Sequence, residues 1–136
     1  MKILQRIFRV LLVLWAGSLW SLLWVAATVF KFQPDRHAAG LIASRLFSIE
    51  TYLALGVAVL AILLPGRGRF RLVYFAAAIL AVNEWILKRV MSQAQAHGTA
   101  AGLGFGAWHG ISAVLYVLAC VCIVIMIYKK DEFRHA

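Results

Sequence analysis

Acidic residues are scarce in this chain. Five Asp and Glu stand against fourteen Lys and Arg among 136 residues, a net charge of +9. Charged residues together make up only 14%, where an ordinary soluble domain carries about a quarter. Cysteine is nearly absent too. Cys120 and Cys122 lie in one apolar run, about 200° apart on a helix, so they cannot face one ligand together and provide no disulfide framework. No GxSxG, HExxH, CxxC or paired-His spacing occurs, and no glycine-rich loop follows a strand. Those absences argue against nucleophilic catalysis, a closed metal site and a nucleotide site. No run alternates in the manner of a barrel strand, and no internal repeat is visible.

What remains is apolar. Hydrophobic residues make up 64% and the mean hydropathy is +0.88, which places the chain among integral membrane proteins. A span takes about 20 apolar residues, so four spans and three short connections use up the length. The expectation is an all-α, four-transmembrane-helix bundle running up-down-up-down as a single integral membrane domain over 1–136, with helices at about 8–30, 36–64, 70–92 and 106–128. The basic residues sit in clumps between the apolar runs. That pattern points to anionic lipid headgroups and membrane orientation, with no nucleic acid partner.

Lys2, Arg6 and Arg9 precede the run from Val10 to Phe30, which is longer than a signal-peptide core and reads as a retained helix. Gly17 and Ser21 form a small-residue pair suited to close helix contact. Pro34 stops that helix, and Asp35 is placed to cap the next. In the second helix Gly40, Ser44 and Ser48 repeat every four residues, a packing seam by spacing. Pro65 to Arg69 reads as a turn. The third helix ends in a polar half, and the stretch from Gln93 to Gly104 reads as a frayed end and loop. Gly106 and Gly110 open the fourth helix with another small-residue pair, and a charged tail runs from Lys129 to Arg134. The N-terminal clump, Arg67, Arg69 and Arg71, and the tail must share one side. The positive-inside rule makes that side the cytoplasm of a bacterial inner membrane, with both termini inside.

Rise per residue places Glu50, Glu84 and His109 at similar depth in the outer leaflet. Because an intramembrane carboxylate needs partners, a polar cluster of Glu50, Asn83, Glu84, Lys88, Arg89, His109 and Ser112 is the candidate site. It is expected to line a small cavity opening outward. Glu84 and Lys88 are four apart, in the order that favours a helical ion pair. His109 is the one candidate for a metal or proton site, set against a plain interfacial histidine. His37, His97 and His135 form no spacing motif.

The strings Ala81-Val82-Asn83, Phe105-Gly106-Ala107-Trp108-His109-Gly110-Ile111-Ser112 and Tyr116, with Leu14 to Ser18, Val25 to Ala27 and Ala39-Gly40, resemble a family. It comprises small four-helix bacterial proteins of unknown function related to transmembrane protein 205. More distantly the architecture is similar to membrane proteins of copper resistance and of late haem biosynthesis. The resemblance implies at most a loose tie to export or metal handling. Where relatives carry an apolar stretch with a proline after the asparagine, this chain has Glu84 and Lys88-Arg89, so any role of Glu84 belongs to this sequence.

Too few titratable groups converge to expect an enzyme. Two function classes remain. One is a non-enzymatic accessory subunit packing on a membrane-protein partner or a second copy through the small-residue seams. The other is a small transporter or binding protein for a cation, metal or haem at the outer cluster. No cofactor is expected under the first reading.

Overall fold

A computed structural model describes residues 2–64 and 67–129. The turn at Pro65-Gly66 and the tail from Lys130 onward lie outside the described residues. Among those described, the elements are α1 (Lys2–Phe32), α2 (Arg36–Leu63), a 3-10 turn (Arg67–Phe70), α3 (Arg71–Val82), a π-helical turn (Asn83–Leu87), α4 (Lys88–His97) and α5 (Phe105–Tyr128). The 3-10 turn, α3, the π turn and α4 make one continuous third span, so four helices are long and apolar enough to cross a membrane. No strand is present among the described residues.

Local chemistry explains the boundaries. Asp35 caps α2, its side chain accepting from the His37 and Ala38 backbone N–H groups at 2.8 and 3.3 Å. The first helix begins at Lys2 rather than near residue 8, because Lys, Arg and Leu are all good helix formers. The third span continues to His97 rather than stopping near 92. Its Gln and Ala residues favour helix, and Ala94 is buried where α4 meets α5. Gly98 ends it with a φ of +83°, a backbone that glycine adopts without strain. From there a tight loop returns through a two-way backbone pairing of Ala100 with Leu103. The Trp108 indole N–H donates to the Ala100 carbonyl at 2.9 Å and pins the loop onto α5.

Around the bundle, α1 packs on α2 and α5, and the third span packs on α2 and α5. Short connections make successive helices antiparallel. Consistent with that, Phe8 near the start of α1 meets Phe70 at the start of the third span, edge to face with centroids 5.0 Å apart. Phe8, Leu12, Trp15, Leu19 and Leu22 of α1 are buried in steps of four and three, one helix face. The buried stripe of α2 is small: Ala39, Ala43, Ala54 and Ala61. Large apolar side chains such as Trp24, Leu63 and Val114 point outward, as lipid-facing residues do in a bundle whose solvent is hydrocarbon.

Candidate functional site

Among the described residues two carboxylates lie inside the bundle, Glu50 and Glu84, on opposite sides of α2. On one side, Ser48 of α2 faces the third span. Its hydroxyl is 2.8 Å from Glu84 Oε1 and 2.9 Å from the Ser44 carbonyl oxygen, with one hydrogen to give. Lys88 donates to Glu84 Oε1 at 2.9 Å and to Ser48 Oγ at 3.0 Å. The side chain of Glu84 is 13% exposed and that of Lys88 41%. The carboxylate therefore sits inward and the ammonium reaches outward, an ion pair with its cation snorkelling. Glu84, Lys88, Arg89, Ser92 and Gln93 line an open depression there.

On the other side, Glu50 faces α1. It is only 4% exposed. Ser18 Oγ donates to its Oε2 at 2.8 Å, and Oε1 has no hydrogen-bond partner among the described residues. The Trp15 indole stands beside the same carboxyl, its N–H likewise unpartnered. Tyr116 and Cys120 of α5 lie within electrostatic reach of Glu50. The Tyr116 hydroxyl donates to the Leu19 carbonyl at 3.0 Å, tying α5 to α1 at this level.

The expected convergence of Glu50, Glu84 and His109 does not occur. Residues 48 and 50 point about 200° apart on α2, so the partner of Glu84 and Glu50 itself look in opposite directions. Glu50 also lies deeper than expected, while His109 lies about one turn into its helix, as expected. Glu50 is fourteen residues from Arg36 and thirteen from Leu63, the middle of α2. His109 is four residues from the start of α5, exposed and stacked on Phe105 with centroids 5.9 Å apart. Asn83 and Ser112 do meet: the Asn83 side-chain amide donates to the Ser112 carbonyl at 3.3 Å. The buried Asn83 Oδ1 has no hydrogen-bond partner among the described residues. No group of three His, Cys, Asp or Glu that could hold a metal gathers among the described residues.

The small-residue positions divide. Gly40, Ser44 and Ser48 are half-buried, next to the alanine stripe that forms the buried face of α2. Gly17, Ser21, Gly106 and Gly110 are exposed. The residues that sequence reasoning passed over are Ser18, as a partner of Glu50, and the π turn at Asn83–Leu87. Ser18 left a signal, a hydroxyl at the middle of an apolar run. The π turn left none, since one extra residue per turn has no composition mark.

The sequence model of one family, described as a domain of unknown function (DUF4149), matches residues 10–100. The chain belongs to that family. The match spans Ser18, Glu50, Glu84 and Lys88 and ends before the Phe105 to Ser112 string. No curated protein and no solved structure matches the chain.

Proposed function

We propose that this multi-pass membrane protein is a non-enzymatic accessory subunit of the bacterial inner membrane. It packs laterally on a membrane-protein partner or a second copy through small-residue faces. One observation carries the reading. Gly17 on α1 and Gly106 and Gly110 on α5 are exposed, and a Cβ added at any of them would meet nothing within 4 Å. Small residues in membrane helices permit close backbone approach, and among the described residues nothing approaches there. Cytoplasmic termini belong to the same reading and rest on the basic clumps. So does kinship with transmembrane protein 205 and, more distantly, with copper-resistance and haem-biosynthesis membrane proteins, supported by the strings Ala81 to Asn83 and Phe105 to Ser112.

Cross-linking and purification from native membranes test it. A stoichiometric protein partner or second copy is expected. Gly17→Leu and Gly110→Leu should leave the detergent-solubilised chain folded yet reduce its recovery in that complex at least tenfold. A complex untouched by both changes, or none in the unaltered protein, sinks the proposal. A second reading, a transporter or binding protein for a cation, metal or haem, draws support from the open depression at Glu84 and Lys88. It ranks lower because Lys88 already neutralises that carboxylate. A bound metal or a Soret band in the purified protein would reverse the ranking.

A further inference from the structure

We infer that Glu50 is a reversible proton-binding site at the middle of the membrane, with Ser18 as the group that holds its carboxyl in both protonation states. Ser18 lies sixteen residues from Lys2 and fourteen from Phe32, and Tyr116 eleven from Phe105 and twelve from Tyr128. Glu50 is thus centred in the bundle on three helices at once. An ionisable group at that depth is costly and calls for a ligand or a partner. Glu84 has an ammonium partner; Glu50 has none among the described residues.

The ligand follows from the donor set. A hard divalent cation takes about six or more oxygens, and no group of three His, Cys, Asp or Glu that could hold a metal gathers among the described residues. Glu50 takes one hydrogen bond, from Ser18 Oγ, and the Tyr116 hydroxyl within its electrostatic reach already donates to Leu19. A proton needs only one oxygen. The hydroxyl partner is the decisive chemistry, because serine donates and accepts equally well. With Glu50 ionised, Ser18 donates to Oε2, and the unpaired Trp15 N–H beside the carboxyl comes to Oε1 only after a small shift. With a proton on Oε2, the same Ser18 oxygen accepts it. Within the Ser18–Glu50 contact only the hydroxyl hydrogen rotates, and neither oxygen has to move. A lysine has no lone pair to accept that proton, whereas the Ser18 hydroxyl has.

The groups that bear on this titration are few. From α1 come Ser18 and Trp15, neither of which titrates in the working range. Tyr116 and Cys120 contribute from α5. On the third span the charged pair Glu84–Lys88 engages Ser48, on the opposite side of α2.

Infrared difference spectra of the whole chain in lipid vesicles, recorded between about pH 5 and about pH 9, test the proposal. A protonated-carboxyl C=O band should fall roughly tenfold per pH unit above its midpoint. It should survive Glu84→Gln and vanish in Glu50→Gln. A band that ignores pH over that range, or its retention in Glu50→Gln, overturns the inference. Should Glu50→Gln fail to fold, dicyclohexylcarbodiimide labelling of the unaltered protein, located by mass spectrometry, decides instead. The acid O–H adds across one C=N bond, and the adduct rearranges to a stable N-acylurea with no atom lost. Labelling at Glu50 that declines with rising pH supports the site. Labelling that is absent, constant with pH or confined to Glu84 overturns it.

Discussion

Lys88 keeps its side chain 41% exposed while Glu84 is 13% exposed, so their contact is partly screened and its worth is modest. Intramembrane polar contacts average well under 2 kcal/mol in any case. Lys88→Met is therefore expected to cost about 1 kcal/mol, read from unfolding in mixed micelles, since it leaves Glu84 with Ser48 alone. Adding Glu84→Gln should recover most of that loss. A double variant less stable than Lys88→Met would contradict the pairing. The four-residue spacing made this pair legible. Ser48 and Ser18 as partners were not, because each is reached from another helix.

At the scale of elements, the capping of α2 by Asp35 could be read from Pro34-Asp35 alone, since a cap needs only neighbours in sequence. The loop after His97 could not. Its order comes from Trp108, eight residues beyond the Ala100 carbonyl it binds. Trp108→Phe keeps the ring and removes the donor. It should raise amide hydrogen exchange across Ala100 to Leu103 by roughly fivefold, the worth of about 1 kcal/mol, with exchange in the core of α5 unchanged. Unchanged protection of the loop would assign its order to the backbone pairing instead. The π turn is the other feature hidden from pattern reading. It places the Asn83 amide against Ser112 while Glu84 meets Ser48, and such turns recur at functional sites.

For the whole molecule, the proposed orientation predicts that a reporter fused after Ala136 is active only on the cytoplasmic side. Activity outside the cell would reverse it. The basic clumps that carry this prediction lie at the ends of the apolar runs in the sequence.

Four spans, their up-down order and the cap of α2 were determined by the sequence itself. Hydrocarbon demands internal backbone bonding and a fixed length, and both can be counted along a chain. Which way each helix turns was decided only in the folded bundle. One residue step rotates a side chain by about 100°, and an apolar run surrounded by lipid has no polar face to reveal its inner side. Depth could therefore be estimated, with His109 about one turn into its helix as expected and Glu50 deeper. Facing could not: packing set Glu50 toward Ser18, Glu84 toward Ser48 and His109 outward.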